Sequence, residues 1–141
     1  MSQAVIIDAN LLFSWLIANN QLLRRTMNRR PELRFYCPKY VLVELFKHKE
    51  RIAAASGLDE PGLLALLQDC LERIHFFDEE AISLGCWTEA WRLCRDVDEN
   101  DVAYVALSLE LEGELWSSDQ ILETGLRKKG FTRFFPHPDF S

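Results

Sequence analysis

Residues 98–119 read DENDVAYVALSLELEGELWSSD, and this stretch decides the fold. Val102, Val105, Ala106 and Leu109 recur at i, i+3, i+4 and i+7, the apolar face of a helix. Asp98 stands where a helix cap belongs, and Asp101, three residues on, takes the place of a capping-box acid. Gly113 is expected to end the helix, and Glu114-Leu115-Trp116-Ser117 reads as a strand with Asp119 just beyond it. A helix handing over to a strand through a short turn is half of a βα repeat, the unit from which parallel sheets are built.

The rest of the chain repeats that alternation. Ala4-Val5-Ile6-Ile7 is a short apolar, β-branched run closed by Asp8, as expected of a strand buried on both faces. A helix is expected from about Asn10 to Met27, with cationic Arg24, Arg25, Arg29 and Arg30 at its end, where the helix dipole favours them. Leu33 to Cys37 reads as a second strand, and Pro38 suits the first turn of a helix running to about Ala55 and stopped by Gly57. Further helices are predicted from Glu60 to Leu71, Glu79 to Cys94 and Ile121 to Lys129, with strands at Arg73 to Phe77 and Phe131 to Phe135. The pattern predicts an α/β, three-layer sandwich around a mainly parallel central sheet. With 141 residues and no repeat or linker, residues 1–141 are expected to make a single domain.

Composition narrows the function. Hydrophobic residues make up 48%, enough for a core without staples. Cys37, Cys70, Cys86 and Cys94 form no C-x-x-C pair and are expected to be reduced and mostly buried. With His48, His75 and His137 scattered, zinc-finger and zinc-ribbon patterns are absent. The opening MSQAVIIDAN lacks the basic start and apolar run of a signal peptide, and no segment approaches the roughly 20 apolar residues of a membrane span, so a soluble cytoplasmic protein is expected. A net charge of −6 argues against a protein that coats nucleic acid nonspecifically, though not against one whose acids converge on a cation. Trp87 and Trp91, four residues apart, have core spacing, so burial is the expectation over base stacking for them and for Trp15 and Trp116.

In open parallel sheets, ligands bind beyond the carboxyl ends of the strands. Asp8 and Asp119 fall there directly, while Glu44 and Asp101 lie early in helices that start near the same edge. Each has a purely structural reading as well: a cap for Asp8, a solvated face for Glu44, a first-turn acid for Asp101, a turn or cap for Asp119. Brought together, their like charges raise one another's pKa unless a cation intervenes. A hard divalent ion, Mg²⁺ or Mn²⁺, suits a carboxylate set and supplies the chemistry of phosphodiester hydrolysis without a histidine or cysteine nucleophile.

Three segments carry a family resemblance that covers essentially the whole chain. Val5-Ile6-Ile7-Asp8-Ala9-Asn10-Leu11-Leu12, Pro38 to Leu45 with Lys47-His48-Lys49, and Asp98 to Leu109 followed by Leu115-Trp116-Ser117-Ser118-Asp119 resemble the motifs of PIN domains. The resemblance is closest to a largely prokaryotic subgroup, the VapC-type toxin-like ribonucleases. It implies a metal site of Asp8, Glu44, Asp101 and Asp119, supported by Asn10, Asp98 and Ser117, with Asp98 the alternative to Asp101 as third ligand. Ser118 stands where the family frequently has glycine or another small residue. The implied activity is Mg²⁺- or Mn²⁺-dependent endoribonuclease cleavage of single-stranded RNA, often by a toxin silenced by an antitoxin protein.

Arg24, Arg25, Lys47 and Lys49 are candidates for RNA-backbone contacts, against the ordinary reading of solvated surface charge. Leu63-Leu64-x-Leu66-Leu67 is a candidate surface for a homodimer or an antitoxin. Two other readings compete. One is a catalytically silent binding or regulatory protein on the same fold; retention of the acids weighs against it. The other is a phosphatase with an aspartate nucleophile, which expects a second Asp where Asn10 stands.

Overall fold

The computed structural model describes residues 3–18 and 21–136, with side chains for all of these except residues 18, 21 and 22. Strands β1 (Gln3–Ile7), β2 (Leu33–Pro38), β3 (Ile74–Phe77) and β4 (Glu114–Trp116) form a sheet in the order β3-β2-β1-β4. All of its pairings are parallel. Around it lie α1 (Ala9–Ala18), α2 (Gln21–Arg29), α3 (Tyr40–Lys47), α4 (Lys49–Ser56), α5 (Glu60–Arg73), α6 (Leu84–Cys94), α7 (Val102–Leu111) and α8 (Gln120–Lys128).

Alternation along β1 builds the layers. Val5 and Ile7 join a core with Leu12, Trp15 and Leu16 of α1 and Cys70 of α5. Ile6, pointing to the other face, joins Leu93 of α6, Val105 and Leu107 of α7, and Leu122 and Leu126 of α8. Helices therefore cover both faces of a parallel sheet, as the predicted sandwich requires. No helix among the described residues is long and apolar enough to cross a membrane.

Several local expectations are corrected. The helix expected from Asn10 to Met27 is two helices, α1 and α2; its residues 19 and 20 lie outside the described residues, as does His137. Pro38 ends β2, opposite Phe77, and α3 begins only at Tyr40. The long helix expected from Pro38 breaks at His48 (φ −108°, ψ 16°) into α3 and α4, and Gly57 stops it as expected, in the left-handed conformation. The segment Glu79–Cys94 opens with a 3-10 turn, Glu79–Ala81, before α6. Glu112, not Gly113, takes the left-handed position that ends α7 (φ 51°). Gly113 is needed for another reason: a Cβ there would lie 2.7 Å from the Ala4 carbonyl oxygen on β1.

The last expected strand, Phe131 to Phe135, is reduced to an isolated bridge between Leu115 and Phe134. Two hydrogen bonds, Leu115 N–H to Arg133 O and Phe135 N–H to Leu115 O, pin the segment against β4. Trp15 and Trp116 are buried, but Trp91 is 47% exposed, so helical spacing misplaced it. All four cysteines are free, three of them buried.

Chain direction across the sheet matters most for function. After β1 the chain moves outward through β2 and β3, then crosses back to place β4 on the other side of β1. The strand order reverses between β1 and β4, and a crevice opens at the carboxyl ends of strands where that happens.

Candidate functional site at the β1/β4 switch point

Asp8 leaves the end of β1 into that crevice and is buried. Its Oδ1 accepts the Leu11 N–H at 2.8 Å, so it also caps the first turn of α1. Burial pushes its carboxyl above the usual range, and the Asp119 charge adds to the push; hydrogen bonds from Ser117, Leu11 and Ser118 oppose it.

Asp119 leaves β4 beside it. Its Oδ1 accepts the N–H groups of Ile121 at 3.0 Å and Leu122 at 3.1 Å, capping α8. Ser117 binds both acids, its hydroxyl bonded to Asp8 and accepting the Asp119 N–H at 3.0 Å.

The third element is the 3-10 turn Glu99–Asp101 leading into α7. Asp98 caps it through Oδ1, which accepts the Asn100 N–H at 2.9 Å. The Asp101 side chain caps nothing. Oxygens of Asp98, Asp101 and Asp119 lie within 4.8 Å of one another, and Asp8 and Glu44 fall outside this tight set. Crowding has a cost: burial, then the charges of Asp98, Asp8 and Asp119, push the Asp101 carboxyl up to about 7.

A cavity of about 400 Å³ joins these groups, lined by Asp8, Asn10, Glu44, Asp98, Asp101 and Asp119 together with Phe13, Tyr40 and Tyr104. The four acids singled out in the sequence thus share one cavity. Asp98, expected in support, stands among the closest three. Glu44 reaches the cavity from α3, hydrogen-bonded to the Tyr40 hydroxyl on the same wall and 3.7 Å from His48 Nε2.

Sequence reading missed Phe13, Tyr40 and Tyr104; the i, i+4 spacing of Tyr40 and Glu44 was the available signal. Arg24, Arg25, Lys47 and Lys49 do not line the cavity. Arg24 faces Asp69 at 3.9 Å, and Lys49 borders a separate apolar groove.

Three carboxylates this close, with one proton held to about neutral pH, fit a hard divalent cation: oxygen-only donors suit it, and its charge removes the repulsion. Fold and site together define an α/β protein with an acidic cavity at the switch point of a parallel sheet. The model of the PIN domain family matches residues 6–134, and the chain belongs to that family. Among solved structures it is similar to VapBC2 from Rickettsia felis, crystallised bound to a DNA fragment from its promoter. That match has a TM-score of 0.61 and 13% identity, covering 83% of this chain and 89% of the other. No protein of curated function matches the chain.

Proposed function

We propose that the chain is a single-domain, metal-dependent endoribonuclease that hydrolyses phosphodiester bonds of single-stranded RNA. The observation that carries this reading is the gathering of Asp98, Asp101 and Asp119 beside Asp8 at the switch point. Asp98, Asp101 and Asp119 would hold Mg²⁺ or Mn²⁺, with Asp8 completing the acidic wall. Bound there, such an ion supplies Lewis-acid stabilisation of charge developing on the phosphoryl oxygens.

The chain's own groups do the positioning. Ser117 ties Asp8 to Asp119, so the acids from β1 and β4 keep their separation. Capping uses Oδ1 of Asp8, Asp98 and Asp119 alike, so three helical starts fix three carboxylates. Asp101, held up to about 7 by burial and by its acidic neighbours, would give up that proton when a cation binds, since the cation's charge offsets the repulsion. Asn10, on the cavity wall, is placed to orient a ligand through hydrogen bonds.

A protein partner of antitoxin type fits the same chain. The similar VapBC2 structure is a two-component complex. An apolar groove of about 510 Å³ between α3, α4 and α5 leaves Phe46 (71%) and Leu64 (58%) exposed, a surface of the kind an apolar partner segment would cover. The free cysteines suit the reducing cytoplasm.

The test is cleavage of single-stranded RNA with Mn²⁺, with EDTA, and with Asp119→Asn. We expect cleavage in Mn²⁺ and a loss of at least about a hundredfold in the other two, the scale typical of removing a catalytic electrostatic group. Cleavage indifferent to chelation and to the substitution would discard the mechanism; metal binding without any cleavage would favour a silent, partner-binding role.

A further inference from the structure

One wall of the acidic cavity is aromatic. Tyr40, at the start of α3, lines it while remaining 54% exposed. Its hydroxyl is bonded to Glu44, and its backbone N–H donates to Glu79 Oε1 at 2.6 Å, so the residue is held from both ends. Glu44 in turn lies 3.7 Å from His48 Nε2, and the His48 ring meets Phe13 edge-on, centroids 6.1 Å apart. Phe13 lines the cavity too. A chain of contacts from α1 through His48 and Glu44 thus fixes an exposed ring beside the carboxylates.

Exposed rings held still are what single-stranded nucleic acids stack on, because every base offers a π-face and a fixed platform loses little entropy on binding. The four basic residues singled out in the sequence do not line this cavity, so strand capture there needs another source of affinity. We infer that Tyr40 is a base-stacking residue of this site, taking a base next to the phosphate presented to the acids. The inference rests on the nuclease reading and deepens it.

Steady-state cleavage of a short single-stranded oligoribonucleotide in Mn²⁺ tests it, using Tyr40→Ala, Tyr40→Phe and Tyr40→Trp. Tyr40→Ala should raise KM about tenfold or more, the scale of one lost stacking contact, with the Mn²⁺ half-saturation point unmoved. Phe and Trp should restore most of the affinity, since both keep a π-face. Abasic substitution at one position of the RNA should cost wild type as much as Tyr40→Ala does, and cost that variant nothing more. This arm needs no altered protein, so it decides the matter even if Tyr40→Ala fails to fold. An unchanged KM in a folded Tyr40→Ala, an equal loss in Tyr40→Phe, or an abasic scan without a sensitive position overturns the stacking role while leaving the nuclease standing. A wild type that cleaves no RNA overturns both.

Discussion

Asp8, Asp98 and Asp119 each do two jobs with one carboxylate: Oδ1 caps a helix or turn, while the negative charge faces its neighbours. Asparagine separates the two, since it is also a favoured cap. Asp8→Asn should therefore abolish metal-dependent cleavage while leaving the melting temperature near wild type. Asp8→Ala should lose the cap as well and cost about 1 kcal/mol. Asp101, which caps nothing, isolates the electrostatic effect. Its carboxyl is raised from 3.8 to about 7 in the folded protein, so the fold holds that proton more tightly than the unfolded chain does. The resulting stabilisation is present below 3.8 and is lost as pH climbs through about 7. Thermal melts in EDTA should show stability falling over that window, and Asp101→Asn should flatten the fall and melt higher at pH 8. Adding Mn²⁺ at that pH should raise the wild-type melting temperature more than the variant's. An unchanged pH slope in Asp101→Asn would show that the charges are not in conflict.

At the scale of elements, the site depends on how closely α7 and β4 approach β1. Ser108 is buried in α7, where its hydroxyl donates to the Gly113 carbonyl at 2.6 Å and its own carbonyl accepts the Gly113 N–H at 2.9 Å. Gly113 lies against β1, where an added Cβ would meet the Ala4 carbonyl and the Ile6 side chain at 2.7 and 2.8 Å. Backbone cannot give way as a flexible side chain can, so Gly113→Ala should cost roughly 1–3 kcal/mol in denaturant unfolding. It should also shift β4, and with it Ser117 and Asp119, weakening Mn²⁺ affinity although the glycine is not at the site. A variant with normal stability and metal affinity would contradict this account of the β1/β4 contact.

Taken whole, the molecule separates its chemistry from its apolar surface. The acidic cavity opens at the sheet edge, while the groove lined by Phe46, Leu64 and Leu71 lies between α3, α4 and α5. Glu44 and Phe46 are near neighbours on α3, so one helix serves both. Paired substitution Phe46→Lys with Leu64→Lys changes exposed positions and should alter stability by less than about 1 kcal/mol. It should cut binding of a hydrophobic fluorescent dye by more than half and leave RNA cleavage unaffected. Dye binding unaltered by both lysines would mean that the groove is not an accessible apolar surface. An overall charge of −6 is compatible with the proposed activity, because a cation held in the cavity would make an acidic protein locally receptive to phosphate.

By itself the chain determined the layered α/β class and the positions of the acids. The unbroken apolar run Val5-Ile6-Ile7 marks a strand buried on both faces, and the spacing of Val102, Val105, Ala106 and Leu109 marks a helix, whose burial from Tyr104 to Ser108 is continuous. Boundaries were less legible. Pro38 reads as a helix start until a parallel neighbour holds it in β2, and the Phe131 to Phe135 run reads as a strand until only one bridge to β4 forms. Trp91 shows that helical spacing marks a face without saying what covers it. Which acids stand closest was decided by the tertiary structure alone. Asp98 joins Asp101 and Asp119 because a 3-10 turn, absent from any periodicity, folds it back, while Glu44 lines the same cavity hydrogen-bonded to Tyr40 and outside the closest three. Distances between groups from different elements depend on strand order and turn geometry, and local sequence carries neither.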